Sequence, residues 1–184
     1  MSKEKSRYFI ALVPPEPIYT QAWQWKEWFR DQFQTKKALN SPPHVTLQMP
    51  FQWREDRENL FMEGLADFAQ ACTSFPMTID GFAAFPPRVI YLDTPLTEPL
   101  SVLQKSLART LRQSFGIHND THKNNGFVPH LTVAFRDLKK EAFLTAWEEV
   151  KDREVNLAWE QTTLSLLKHD GQRWQVLKDF SFSD

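Results

Sequence analysis

The sequence predicts a mixed α+β fold made of two similar lobes with a cleft between them, on three observations. Helical and strand-like hydrophobic periods alternate along the whole chain. An order of helix, Pro-His-apolar-Thr-apolar, nearby Phe, polar helix and strand occurs twice, which is a degenerate internal repeat. The core is easily built, because 41% of the 184 residues are hydrophobic and there are 15 Phe and 7 Trp. Clefts between lobes are favoured ligand sites. A single domain spanning 1–184 is expected.

The elements follow in order. Arg7 to Val13 reads as a buried strand, stopped by Pro14-Pro15. Pro17 suits the first turn of a helix, and Ile18, Ala22, Trp25, Phe29 and Phe33 carry its apolar face to about Thr35. Asn40-Ser41-Pro42-Pro43 breaks it, and His44 to Met49 reads as a strand. A helix over about 57–71 buries Phe61, Leu65, Phe68 and Cys72. Strands are expected at 75–85 and 88–93, separated by Pro86-Pro87. In the second half, 97–114 is a helix with Leu100, Leu103, Leu107 and Leu111 on one face. Residues 116–126 form a polar loop, 128–135 a strand and 139–150 a helix. Strands at about 155–168 and 173–177 are joined by Asp170-Gly171, a strong hairpin signal.

Composition narrows the function. A net charge of -1 excludes a basic nucleic-acid coat, while leaving room for a local anion site. One cysteine, Cys72, excludes an intramolecular disulfide and fits a reducing compartment. The start of the chain is polar, and the apolar run from Tyr8 to Val13 is too short for a signal-peptide core or a membrane span. A cytoplasmic monomer without membrane contact is expected.

The chemistry lies in the repeated motif. Residues two apart on a strand share a face. His44 and Thr46 therefore point one way, and Val45 and Leu47 the other; His130 and Thr132 separate in the same way from Leu131 and Val133. Each half thus presents an imidazole beside a hydroxyl. Phosphodiester chemistry needs such a set: one imidazole takes the proton of the attacking hydroxyl or water, and the other protonates the leaving oxygen. An ordinary His pKa near 6.5 allows both states, and such acid/base help is worth roughly 10²–10⁴-fold. The threonine hydroxyls can donate to nonbridging oxygens. The scheme needs no metal and no cofactor. The bland alternative is two His-Thr pairs satisfying hydrogen bonds at strand starts.

The paired His-x-Thr-apolar motifs resemble those of the two-histidine (2H) phosphoesterase superfamily, which includes 2′-5′ RNA ligase-like proteins and cyclic phosphodiesterases. The opening Arg7-Tyr8-Phe9-Ile10-Ala11-Leu12 is similar to the family's first strand, and the element order matches over nearly the whole chain. The resemblance implies a bilobal fold with pseudo-two-fold symmetry, with two antiparallel sheets flanking a central cleft and helices outside. It implies hydrolysis of a 2′,3′-cyclic phosphate on a nucleotide or RNA end, with reversible 2′-5′ ligase activity in some members. Carried over residue by residue, the catalytic positions are His44, Thr46, His130 and Thr132. The stretch around Phe51 resembles bacterial branches with poorly defined substrates.

Further residues are candidates for substrate binding. Arg136 shares the cleft-facing register if the second motif strand continues, and Gln48 holds the equivalent register in the first. Tyr8, Phe9, Tyr91 and Phe51 could stack on a base, Tyr8 and Tyr91 foremost, because the repeat places their strands beside the motif strands. His118, Asp120 and His122 have a metal-ligand spacing, but their Asn- and Gly-rich neighbours argue for a loop that could act as a lid and contribute Lys123. His169 is expected to be exposed beside its turn, and Cys72 to be core. Three functions compete: the cyclic phosphodiesterase, a non-catalytic module that binds a nucleotide or RNA end, and a metalloenzyme built on 118–122.

Overall fold

The computed structural model describes residues 4–119 and 126–183. Its elements are β1 (Lys5–Leu12), α1 (Ile18–Phe33), a 3-10 turn (Lys37–Asn40), β2 (Val45–Arg54), α2 (Glu58–Gln70), β3 (Phe75–Asp80), β4 (Phe82–Phe85), β5 (Val89–Asp93), α3 (Glu98–Phe115), β6 (His130–Ala134), α4 (Lys140–Val150), β7 (Asn156–Gln161), β8 (Thr163–His169) and β9 (Trp174–Ser181). The fold is mixed α+β with antiparallel sheets, as the sequence predicts. One sheet has the order β2-β1-β8-β9, a second pairs β3 with β7, and a third has the order β4-β5-β6. Every pairing is antiparallel.

The two motif strands lie in different sheets, β2 at one edge of the four-stranded sheet and β6 at one edge of the three-stranded sheet, and they touch each other. The helices are exchanged. α1, which precedes the first motif, packs on β6; α3, which precedes the second, packs on β2. One hydrophobic cluster joins both sides, from Tyr8, Ile10, Val45 and Leu47 to Ile90, Leu92, Leu131 and Val133. Asp137, just after β6, adds a polar tie. Its carboxylate accepts from the Thr35 hydroxyl at 2.6 Å and from the backbone N–H of Lys36 at 2.7 Å and Lys37 at 3.2 Å. The turn that follows one motif therefore holds the segment that leads into the other.

Several boundaries differ from expectation, each for a local reason. β2 runs five residues past Met49, through Pro50, which an edge strand tolerates because its outer N–H has no partner to lose. The strand expected over 75–85 bends at Gly81, whose φ of +70° suits glycine, and becomes β3 and β4 in different sheets. The strand expected over 155–168 divides at Thr162 into β7 and β8, again in different sheets. The corner is held by the buried Gln161 amide, which donates to the carbonyls of Val13 at 3.3 Å and Thr163 at 2.8 Å. β9 reaches Ser181 although its middle is exposed, because its order comes from pairing with β8 rather than from burial. The Asp170-Gly171 hairpin forms as read: Asp170 Oδ1 accepts from the N–H of Gln172 at 2.8 Å and Arg173 at 2.7 Å. No helix among the described residues is long and apolar enough to cross a membrane.

Candidate active site

Each motif histidine sits at the entry of its strand, immediately after a proline that holds the chain extended. The register then does what period-two alternation dictates. Val45 and Leu47 are buried at 1% exposure and Leu131 and Val133 at 0%, while Thr46 and Thr132 are half-buried on the opposite faces. Pairing extends these faces. Thr46 lies opposite Ala11, and Ala11 opposite Ser165. On the other sheet Thr132 lies opposite Tyr91, and His130 opposite Asp93.

The two imidazoles are held alike. Nδ1 of His44 lies 2.7 Å from the Pro42 carbonyl, and Nδ1 of His130 lies 2.7 Å from the Val128 carbonyl. A carbonyl only accepts, so Nδ1 carries the proton in both rings. Aromatic walls fix the rings. Phe9 packs on His44 with centroids 4.8 Å apart, and Phe85 and Tyr91 pack on His130 at 5.1 and 5.2 Å.

His44 has a small accessible edge and protein on its other sides. Burial first, and then the Lys26 ammonium, push its pKa down to about 3, against the pull of the Pro42 carbonyl. The charge on His130 bears on His44 in the same downward sense, so the two histidines share one electrostatic site. His44 is therefore neutral at pH 7. Burial pushes the Tyr91 phenol up, with the Asp93 carboxylate adding to it, so Tyr91 is a neutral hydroxyl beside His130.

Lys26 escaped the sequence reading. It is 2% exposed on the inner face of α1, and its ammonium donates to the carbonyls of Ala38 and Ser41, both at 2.9 Å. Trp23 lies 5.8 Å away, ring to ammonium. Burial lowers its pKa to about 7. Ser41 adjoins Pro42, whose carbonyl orients His44, so Lys26 clasps the segment that aims the imidazole. The only signal in the sequence is a lysine at a position that the helical period assigns near the apolar face, and such lysines usually reach out to solvent.

The remaining candidates divide. Tyr91 stands at His130. Tyr8 does not stand at His44: it is fully buried on the core face of β1, where its hydroxyl donates to Glu58 at 2.5 Å. Its neighbour Phe9 faces the imidazole instead, as alternation along the strand requires. Phe51 lies with Tyr8, its ring 6.1 Å from Tyr8 and 5.5 Å from Phe61, on the core side. The rings of Tyr8 and Phe51 therefore pack into the core. Gln48 is 2% exposed; its amide donates to the carbonyls of Met49 and His118, both at 3.3 Å, which pins the end of α3's loop to β2. Arg136 is exposed, but β6 ends at Ala134 and Arg136 has φ +55°, so the strand register does not aim it; its guanidinium lies over Phe135 at 4.7 Å. Trp174, unread in the sequence, packs on Phe9 at 4.7 Å and extends the aromatic wall away from His44.

Cys72 is half-buried and its thiol contacts the Phe68 carbonyl at 3.3 Å, with burial pushing its pKa up, which suits packing and not nucleophilic attack. His169 packs on Trp174 at 4.9 Å. Asp120, His122 and Lys123 lie outside the described residues. Among the described residues no cluster of three or more His, Cys, Asp or Glu could hold a metal ion.

The model of the 2′-5′ RNA ligase superfamily matches residues 14–173. A protein of Geobacillus kaustophilus named "Putative phosphoesterase" is 26% identical over 184 residues, covering 95% of each chain. One of the same description from Oceanobacillus iheyensis is 28% identical over 177 residues, covering 95% of this chain and 96% of its own. Among solved structures, Escherichia coli LigT complexed with 3′-AMP superposes with a TM-score of 0.69 at 22% identity, covering 98% of this chain and all of LigT. TT0787 of Thermus thermophilus gives 0.66 at 21% identity, over 96% and 97% of the two chains. Both share the fold. Two similarly held imidazoles on strands from two touching sheets, in a chain that this family's model spans almost end to end, lead to one conclusion: the protein belongs to the 2′-5′ RNA ligase superfamily.

Proposed function

We propose that the protein is a metal-independent phosphodiesterase that opens a 2′,3′-cyclic phosphate on a nucleotide or RNA end, with His44 and His130 as the acid/base pair. The observation that carries this reading is the matched setting of the two rings, each with Nδ1 bound to the carbonyl two residues before it. Relatives named as phosphoesterases support it, as do structures of LigT with 3′-AMP, NADP+ and ATP, each a phosphate ester of adenosine or built on one.

His44, neutral because it is buried, is the base. Its Nε2 takes a proton from water while the water oxygen attacks phosphorus. As the P–O bond to one ribose oxygen breaks, His130 in its imidazolium form gives that oxygen its Nε2 proton. The proton taken and the proton given balance, and the product is a phosphomonoester. Thr46 and Thr132 donate to the nonbridging oxygens, where charge accumulates. An anionic phosphate between the rings favours imidazolium at both, which eases the proton uptake that His44 resists in the empty site. With a 5′-hydroxyl in place of water as the nucleophile, the same ring opening, in which the 3′-oxygen leaves phosphorus and takes the proton, would join RNA ends by a 2′-5′ bond.

The test is turnover of nucleoside 2′,3′-cyclic phosphates after chelator treatment, for wild type, His44→Gln and His130→Gln, with the position of the product phosphate determined. Activity that survives chelation and is lost in both variants supports the proposal. Tight nucleotide binding with no product in wild type would leave a binding module.

A further inference from the structure

We infer that the cavity beside the His44 segment is a second nucleobase subsite, so that the preferred substrate is the end of an oligoribonucleotide and not a free mononucleotide. This rests on the phosphodiesterase reading above. The cavity, about 330 Å³, is lined by Tyr19 and Trp23 of α1, by Asn40, Ser41 and Pro42, and by Arg173 and Trp174 of the β8–β9 hairpin. That volume is at the small end for ligand pockets and suits one planar ring system.

Its position separates it from the reacting nucleotide. The rings that touch the imidazoles are Phe9 at His44, and Phe85 and Tyr91 at His130. None of these three rings lines the cavity; it meets their wall at Trp174, the far member of the Phe9–Trp174 pair, and reaches the His44 segment at Pro42. A chain whose terminal phosphate sits between the imidazoles has its next base, not its own, within reach of this cavity.

Its chemistry fits a base and its phosphate. Tyr19 and Trp23 stack nearly parallel, with an interplanar angle of 3° and centroids 6.4 Å apart, and both keep accessible surface, as does Trp174. Base–aromatic stacking tolerates any sequence. Two exposed arginines stand at the same wall: Arg173 lines the cavity, and the Arg7 guanidinium lies 5.4 Å from the Trp174 ring. The nearby Asp170 carboxylate is already occupied by the backbone N–H groups of Gln172 and Arg173, which reduces its repulsion of a phosphate. Asn40 and Ser41 supply polar groups at the edge.

The test measures tryptophan fluorescence on titration with two product-like ligands, a nucleoside 3′-monophosphate and a trinucleotide ending in a 3′-phosphate, for wild type, Trp23→Ala and Arg173→Gln. Turnover of the matching cyclic phosphates is measured beside it. The trinucleotide is expected to bind about tenfold more tightly, as one added base stack provides. Trp23→Ala should remove most of that advantage, and the exposed Arg173→Gln about half of it on a logarithmic scale, with turnover of the cyclic mononucleotide unchanged in Arg173→Gln. Equal affinity for the two ligands, binding of neither, or an advantage kept in both variants overturns the subsite. Absence of turnover with either cyclic phosphate removes the phosphodiesterase reading instead, while the binding comparison still decides the subsite.

Discussion

Lys26→Met is the most informative single change, because Lys26 is an ammonium buried at 2% exposure with two backbone carbonyls as its hydrogen-bond partners. Burial lowers its pKa from 10.5 to about 7. Between these values the unfolded chain binds the proton and the folded chain does not. Stability therefore rises with pH across that window, and below pH 7 the folded state bears the full cost of the buried charge. At about 1.4 kcal/mol per pH unit, the whole window from pH 7 to 10.5 amounts to about 5 kcal/mol. Methionine has a similar length and no proton to bind. Its loss of two hydrogen bonds, about 1–3 kcal/mol per carbonyl left unpaired, does not vary with pH. Urea denaturation at pH 6, 8 and 10 should therefore show the wild type gaining about 4 kcal/mol on the variant from the lowest pH to the highest, because that range stops short of pH 10.5. Stability curves that run parallel to within about 1 kcal/mol would refute the reasoning, since Lys26 would then titrate alike in folded and unfolded chains. The same change removes a positive charge that depresses His44, so the His44 imidazole should titrate at a higher pH in the variant, which NMR of the ring protons reads directly.

Other outcomes follow from the same geometry. His44→Gln and His130→Gln should each reduce cyclic phosphate turnover by about 10²–10⁴-fold with melting temperatures close to wild type; full activity in either removes that residue from the reaction. The acid limb of kcat/KM, which reports protonation of the base in the free protein, should fall well below pH 6.5, because His44 is held neutral down to about 3; a limb at 6.5 or above means that another group is the base. Tyr8→Phe should cost about 1–2 kcal/mol by removing the hydrogen bond to Glu58 while leaving turnover intact, and a marked loss of activity would return Tyr8 to the site. Asp137→Ala should cost about 2 kcal/mol and lower kcat, because it releases Thr35, Lys36 and Lys37 from the turn after His130; calorimetry and kinetics read the two effects separately.

Much of the fold was legible because its signals are local. α3 carries leucines at helical spacing and ends where Gly116 adopts φ +66°. The motif strands alternate, so the faces of Val45, Leu47, Leu131 and Val133 followed from period two alone. What was misjudged depends on pairing. The length of β9 comes from its ladder with β8, and the divisions at Gly81 and Thr162 come from strands that change sheets. Neither leaves a periodic mark in a single strand.

The candidate site shows the same division. Tyr8 and Phe9 are adjacent, and one belongs to the core and the other to the imidazole wall. Choosing between them requires knowing which face of β1 looks toward His44, and the bulged register with β2 decides that. Trp174 reaches Phe9 only because β8 and β9 fold back beside β1. The sequence by itself determined the paired His-x-Thr motifs, their division into buried and presented faces, and the alternation of elements, because each depends on residues within a turn or a strand of one another. Only the tertiary structure decided the neutral state of His44, the clasp made by Lys26, and the exchange of α1 and α3 between the sheets. Burial, charge and packing act through space, and they couple residues that the chain keeps far apart.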